Sequence, residues 1–265
     1  MIKTRLTELF GIKYPIISAP MGPFYTTKLT VAVSEVGGLG VLSHATLRGK
    51  NSVKDMIEQL EYVLEHTDKP FGVNVRTARV QTDHKIMLRK IIQNIKQNPK
   101  LREQLVYIIT SAGGSKFASK LLKEKTPDVK HFHVSPALWL VDKSFAAGCD
   151  GVCATGTEGG GHQSYEGITT MVLVSQVAQK YPEKLLVACG GIATPESVAA
   201  GLAMGADDDE KVRCVLIKST GQRFFSAGYD LKEIQGDPKN VAIIQEWGRK
   251  VNETMVLMKK PIIAQ

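Results

Sequence analysis

A glycine-rich segment around His162 carries the residue types best suited to chemistry in this chain. The segment from Ala154 to Tyr165 is ATGTEGGGHQSY, with three glycines directly before the histidine and Glu158 close by. A histidine can act as a general acid or base near neutral pH, and glycines let the backbone approach a flat or anionic ligand closely. We interpret His162 as a catalytic residue. The plain alternative is a solvent-exposed histidine in a surface loop.

A second glycine turn has the form of an anion site. Gly190 and Gly191 are followed by Thr194-Pro195-Glu196, which offers an N-cap, a proline at the first helical position and an acidic first turn. The free N–H groups at such a helix start bind phosphate well. An ordinary strand-to-helix turn would use the same glycines. Whether other polar residues lie at the same ends of the strands decides between these two interpretations.

The elements that position these motifs alternate between strand and helix. Short apolar runs predict strands at 14–19, 39–42, 71–75, 106–110, 132–134, 151–154 and 185–188. Helical patterns lie between them, at 27–36, 52–65, 84–97, 115–123, 136–146, 169–179 and 195–204. Seven β-then-α units favour an α/β fold with a parallel sheet, of the TIM (β/α)8 barrel type.

The unusual residues fall at the carboxyl ends of these strands, where such barrels bind ligands. Met21 and Gly22 follow the first strand, Asn74 ends the third, and His162 follows the sixth. The Asn74 amide can both donate and accept hydrogen bonds, which suits the edge of a heterocycle. Simple alternatives are a strand-end cap for Asn74 and core packing for Met21. His44, after the second strand, could line the cavity or be structural.

Composition excludes several classes of function. The 43% hydrophobic and 23% charged residues are ordinary for a globular protein. No apolar run reaches the ~18 residues of a membrane span, and the N-terminus lacks a secretory signal. The four cysteines predict buried thiols in a cytoplasmic protein. The net charge of +8 is scattered and not interleaved with aromatics, which argues against nucleic acid. His131 and His133 lack a third ligand, so no metal is expected.

Five motifs together resemble the nitronate monooxygenase (2-nitropropane dioxygenase) family, which also contains an FMN-dependent enoyl-ACP reductase. They are YPIISAPMG, GGLGVLSHA, FGVNV, AAGCDGVCATGTEGGGH and VACGGIATPESVAAGLAMGAD. The resemblance implies an FMN-binding barrel over residues 1–207. It implies FMN contacts for Met21, Gly22, Asn74, Gly160, Gly190 and Gly191. His162 matches the histidine that serves the substrate as a base or as a hydrogen-bond donor to the nitronate.

The last segment, 208–265, departs from that family. It lacks the expected Gly-Thr-Arg-Phe phosphate turn, and FSAGYDLKEI with the final KKPIIAQ resembles the enoyl-CoA hydratase/isomerase (crotonase) superfamily. That second resemblance implies an oxyanion donor at Ala227, beside Gly228, in an incomplete site. Residues 212–217 predict a strand that would pair between the first and seventh strands and close the barrel as an atypical eighth unit.

Four functions are compatible with these features. The leading one is an FMN-dependent oxidoreductase that oxidises a nitronate or a related carbanion with oxygen. The others are an FMN-dependent enoyl reductase, an enoyl-CoA hydratase/isomerase-related fusion, and a catalytically incomplete chimera. The three catalytic functions expect a small-molecule partner, a nitronate or an enoyl or acyl thioester. The chimera would bind flavin poorly or serve only in assembly, and an oligomer is possible.

Overall fold

The fold was obtained as a computed structural model, which describes residues 3–20, 26–44, 51–161 and 163–204 and the backbone of 214–217. Its strands are β1 (Ile16–Ser18), β2 (Gly40–Ser43), β3 (Phe71–Arg76), β4 (Leu105–Ser111), β5 (Lys130–Ser135), β6 (Gly151–Thr155), β7 (Leu185–Cys189) and β8 (Cys214–Ile217). Its helices are α1 (Arg5–Phe10), α2 (Thr27–Glu35), α3 (Ser52–His66), α4 (His84–Gln97), α5 (Pro99–Gln104), α6 (Lys116–Lys125), α7 (Leu138–Ala146), α8 (Thr170–Lys180) and α9 (Pro195–Ala203).

The strands form one parallel sheet in the order β1-β8-β7-β6-β5-β4-β3-β2. The first and last strands of this order are joined by a parallel bridge between Ile17 and Leu39. The N–H of Leu39 donates to the Ile16 carbonyl at 2.8 Å, and the N–H of Ser18 donates to the Leu39 carbonyl at 2.9 Å. The α/β class and the parallel sheet predicted from the alternating pattern are therefore confirmed.

Strand β8 lies between β1 and β7. Ile16–Ser18 pair with Val215–Ile217 on one side of it, and Val187–Cys189 pair with Cys214–Leu216 on the other. These four residues are the part of the segment 208–265 that the structure describes. The boundary predicted at 207/208 lies outside the described residues.

Side chains alternate along the strands between two apolar layers. The inner layer contains Tyr107, Phe132, Cys153 and Val187, and α1 adds Phe10, whose ring meets those of Tyr107 and Phe132 at centroid distances of 5.4 and 6.1 Å. The outer layer packs the helices against the other face of each strand. The described inner layer is apolar, and parallel sheets of this kind bind ligands at the carboxyl ends of their strands.

Two helices were not predicted from the sequence. Helix α1 and helix α5 have six residues each, which is too short for an apolar period to emerge. Both have side-chain N-caps, since Thr4 accepts from the N–H of Thr7 and Asn98 accepts from the N–H of Leu101. No helix in the described part of the chain is long and apolar enough to cross a membrane.

Candidate functional site

The glycine-rich loop after β6 is closed at its base by backbone hydrogen bonds. The N–H of Gly156 donates to the Cys189 carbonyl at the end of β7, over 3.3 Å, and the N–H of Thr157 donates to Ile168, over 2.9 Å. The two ends of the loop therefore lie side by side above β7. His162 lies outside the described residues, directly after Gly161 in this loop.

The carboxylate of Glu158 accepts hydrogen bonds at the start of α8. Its Oε2 accepts from the Thr170 N–H at 2.8 Å and from the Thr170 hydroxyl at 3.1 Å. Burial alone would raise the pKa of Glu158, but these bonds and those within the loop lower it overall. An ionised carboxylate at a helix N-terminus is also favoured by the helix dipole. Glu158 is therefore suited to fix the loop and unsuited to donate a proton.

Gly190 and Gly191 have positive φ angles, 103° and 70°. A Cβ on Gly190 would lie 2.7 Å from the Gly159 nitrogen and 2.8 Å from the Thr170 hydroxyl oxygen, and one on Gly191 would lie 3.2 Å from the Glu158 Cβ. The two glycine segments, which the sequence presents as separate motifs, thus contact each other. Glycine is required here by backbone conformation and by this contact.

The start of α9 is capped by its own residues. Thr194 accepts from the N–H of Ser197 at 3.2 Å, and the Ser197 hydroxyl accepts from the N–H groups of Ala193 and Thr194, both at 2.9 Å. This capping box occupies donors that the anion-site interpretation would have used. A phosphate near this helix would depend on the backbone of the Gly190–Gly191 turn instead.

Asn74 lies buried at the end of β3, on the inner face. Its Nδ2 donates to the Ile109 carbonyl at 3.2 Å and to the Ser111 hydroxyl at 3.1 Å. Among the described residues no donor reaches its Oδ1, so one amide oxygen is available to a ligand. The placement agrees with the expectation of a hydrogen-bonding residue at the strand ends.

Arg76 was missed by the sequence analysis. Arg76 follows Asn74 by two residues and so belongs to the same face of β3. Its Nε is buried, and no described residue accepts a hydrogen bond from it. Ala112, directly after β4, has a positive φ of 61°, which is unusual for a residue other than glycine. The two-residue strand period could have identified Arg76. Ala112 belongs to the segment Ser111–Gly114, which the sequence places directly after the fourth strand.

His44 has a structural role in this fold. Its Nδ1 accepts from the Arg76 backbone N–H at 3.2 Å, which leaves Nε2 to donate to the Asp83 carboxylate at 3.3 Å. Asp83 also accepts from Ser52 and Gln81. Burial lowers the pKa of His44, outweighing the opposite effect of Asp83. The network joins β2, β3 and the starts of α3 and α4.

His131 and His133 lie on the outer face of β5 and share one partner. The Thr110 hydroxyl lies 2.8 Å from His131 Nε2 and 2.7 Å from His133 Nδ1, and Ser119 lies 2.8 Å from His131 Nδ1. Burial lowers the pKa of His131 to about 3 and that of His133 to about 4. Both rings are neutral members of a buried network that faces the helices. Within the described ranges, no three His, Cys, Asp or Glu side chains are grouped to hold a metal.

The remaining predicted site residues divide into two groups. Gly160 is exposed in the loop after β6. Met21, Gly22, Ala227 and Gly228 lie outside the described residues, as does His162. The structure therefore brings Gly160, Gly190 and Gly191 to one side of the strand ends and Asn74 to another.

The chain is similar to a known protein family and to several known proteins. The model of the family described as nitronate monooxygenase matches residues 3–209. An octahydro-indene-carboxyl-CoA dehydrogenase of Rhodococcus jostii is 31% identical over 216 residues, 77% of this chain and 52% of the relative. A probable nitronate monooxygenase of Staphylococcus aureus is 26% identical and covers 77% of this chain and 65% of its own length.

Solved structures agree with the fold. The structure of FabK from Thermotoga maritima superposes with a TM-score of 0.70 at 30% identity, over 83% of this chain and 62% of FabK. The chain thus spans between about half and about two thirds of the length of these relatives.

Proposed function

Because the chain belongs to the nitronate monooxygenase family, we propose that it is an FMN-dependent oxidoreductase that oxidises a nitronate or a related carbanionic substrate with oxygen. The observation that carries the proposal is the family match over residues 3–209, a range that contains every strand end described above except that of β8. The chain is shorter than its relatives, so the activity is proposed for it and not transferred as a fact.

The residues at the strand ends fit a flavin. Asn74 has an amide oxygen available for the edge of a ring, and the Gly190–Gly191 turn has no side chain between its backbone and a ligand. Met21, Gly22 and Gly160 complete the set that would hold FMN. When bound, FMN would supply the redox chemistry, taking two electrons from the substrate and passing them to oxygen.

His162 would serve the substrate as a base or as a hydrogen-bond donor to its nitro oxygens. The loop that carries it is anchored at its base by the Thr157–Ile168 bond and by Glu158 on Thr170. Fixing the loop would limit the orientations available to residue 162, and orientation is a large part of catalysis by positioned groups.

The sheet would close as a (β/α)8 barrel, with the segment 208–265 supplying its eighth strand. The pairing of β8 with β1 and β7 and the Ile17–Leu39 bridge support this closure. The crotonase-like character of the segment, with Ala227 and Gly228 as part of an oxyanion hole, stays a prediction, because these residues lie outside the described ranges.

An FMN-dependent enoyl reductase is the second candidate. It is favoured by the 30% identity to FabK and by the relative that is named as a carboxyl-CoA dehydrogenase, because both exceed the identity to the nitronate monooxygenase of Staphylococcus aureus. For this chain the substrate would then be an enoyl thioester, and a reduced nicotinamide would supply the electrons.

Anaerobic mixing separates the two candidates. The purified chain, saturated with FMN, would be mixed without oxygen with ethylnitronate or, separately, with NADPH. Bleaching of the visible flavin band by ethylnitronate, and its return on admitting air, would support the proposed function. Bleaching by NADPH alone, reversed by an enoyl thioester, would replace it with the reductase. The His162→Asn variant should bleach more slowly with ethylnitronate at unchanged flavin content.

A further inference from the structure

Arg76 places a positive charge at the strand ends, and no residue in the described part of the chain pairs with it. Its Nε–H is buried and donates to no acceptor in the described part of the chain, and none of its guanidinium nitrogens is in an ion pair there. A buried donor left unpaired destabilises the folded protein. Native proteins rarely carry such a cost without a ligand or a functional reason.

The other buried arginine nitrogen without a partner has a different setting. The Nε of Arg5 is also unpaired, but its terminal nitrogens donate to the carbonyls of Glu183 and Lys184 at 2.8 and 3.0 Å. That guanidinium is therefore held by the protein. Within the described ranges the Arg76 guanidinium has no corresponding contact, so it is free there to bond to an external acceptor.

The nearest acidic network is already complete without Arg76. The Asp83 carboxylate accepts from His44, Ser52 and Gln81. The charge of Arg76 acts on the ring of His44 and opposes its protonation, which places the guanidinium near this network but outside it. The backbone of Arg76 is fixed by its bond to His44, so the side chain starts from a rigid position.

The face on which Arg76 lies is that of the candidate flavin site. Asn74, two residues earlier, reaches the Ser111 hydroxyl on β4, and Arg76 pairs in register with the same Ser111. The backbone beyond is held by Thr77, whose N–H donates to the Ser111 carbonyl at 2.8 Å. A guanidinium here can offer two parallel N–H groups to a planar pair of oxygens.

We propose that Arg76 binds the planar oxyanion of the substrate, a nitronate or a carboxylate, beside the flavin. This inference rests on the proposed function, since it assumes that the substrate enters at the strand ends. An oxyanion could also come from the FMN phosphate, and the test separates the two sources.

The test uses a matched pair of unreactive ligands. Propionate has the planar two-oxygen group of a nitronate, and propionamide has the same shape without the charge. Their dissociation constants for the FMN-loaded chain would be measured by calorimetry for wild type, Arg76→Gln, Arg76→Lys and the control Arg79→Gln. Arg79 is exposed and lies three residues away. Thermal melting would show that each variant is folded, and a flavin titration would give its FMN affinity.

In wild type and Arg79→Gln we expect propionate to bind more tightly than propionamide. Loss of a charge-assisted pair should weaken propionate binding by about tenfold to a hundredfold in Arg76→Gln, and the preference over propionamide should vanish. Arg76→Lys should bind propionate with intermediate affinity. Lysine keeps the positive charge but cannot donate two parallel N–H groups. FMN affinity should be unchanged.

Two results would overturn the inference. Equal propionate binding by wild type and Arg76→Gln would show that the guanidinium has no oxyanion to bind. A loss of FMN affinity in Arg76→Gln, with propionate binding kept, would assign the charge to the FMN phosphate. A wild-type chain that takes up no FMN would instead refute the proposed function, and propionate titration of the flavin-free chain would still test Arg76.

Discussion

The strand ends of β6 and β7 differ from those of β3 and β4 in how their polar groups are satisfied. Around β6 and β7, Glu158 is bonded to Thr170, and the start of α9 is capped by Thr194 and Ser197. At the end of β3, by contrast, no described acceptor pairs with the buried Nε of Arg76, and no described donor reaches the amide oxygen of Asn74.

The two pairs of strand ends are therefore suited to different roles. On the β6–β7 side the polar groups form hydrogen bonds with each other. These bonds fix the glycine backbone against which a ligand would lie. On the β3–β4 side, polar groups that no described residue pairs with would be able to form hydrogen bonds to a ligand. The described polar residues around β6 and β7 thus position the loop that leads to His162, and the less conspicuous Arg76 is a further candidate for substrate recognition.

Gly190→Ala should have the largest effect of the single substitutions. Its Cβ would meet the Gly159 nitrogen at 2.7 Å, in a backbone with φ 103°. Strain and clash together should lower the free energy of unfolding by about 3 kcal/mol or more. The same change should weaken FMN binding, because both glycine segments must shift. Urea unfolding and flavin titration would measure the two effects.

Gly167→Ala is the matched control for this prediction. Gly167 also has a positive φ, 70°, but a Cβ there would meet nothing within 4 Å. It should cost about 1 kcal/mol from backbone strain alone. Equal losses in the two variants would mean that the contact between the glycine segments is unimportant.

The two buried histidines on the outer face of β5 should make the free energy of unfolding depend on pH. His131 and His133 have pKa values lowered by burial to about 3 and about 4. The unfolded chain binds protons on both near pH 6.5 and the folded chain does not, so stability is full above that pH and declines as the pH falls below it. From about pH 7.5 to about pH 5 each histidine should cost about 2 kcal/mol.

Unfolding free energies at these two pH values would test this in wild type and in His133→Asn. The variant should lose about 2 kcal/mol of the pH dependence. A wild-type stability that is flat across this range would contradict a neutral, buried histidine pair.

Glu158→Ala should affect catalysis more than stability. Glu158 is largely exposed, so the loss of its bonds to Thr170 should cost about 1 kcal/mol or less. The loop before His162 would lose an anchor, and a poorly oriented catalytic group should lower kcat by about tenfold. FMN affinity should change little. Steady-state assays with ethylnitronate would give kcat and KM.

Glu166→Ala is the control in the same loop. Glu166 is also exposed, and it accepts from the Trp139 indole at 2.8 Å without touching α8. Its kcat should match wild type. If both variants lost kcat equally, general loosening of the loop would replace the specific role of Glu158.

Ala112→Gly should have the smallest effect and the opposite sign. Glycine accepts the φ of 61° that is strained for alanine. The substitution should raise the free energy of unfolding by about 1 kcal/mol, partly offset by the greater freedom of the unfolded chain. Lower stability in Ala112→Gly would show that the methyl group makes a contact that outweighs the strain.

The periodic elements were predictable from the sequence, and most polar contacts were not. The seven strands from 14–19 to 185–188 and the helices between them appear where apolar periodicity predicts them. Asn74 was found because it ends a strand. The acceptor role of Glu158 on Thr170, and the sharing of Thr110 by His131 and His133, depend on neighbours distant in sequence. Local pattern carries no information about such neighbours.

The central claim, that these strand ends hold FMN, is tested most directly by the visible absorption spectrum of the purified chain. The cofactor would be released and identified by mass. The account predicts a flavin spectrum with about one FMN per chain, retained in wild type and reduced in Gly190→Ala. A colourless wild-type chain that also fails to bind added FMN, although folded by thermal melting, would contradict it.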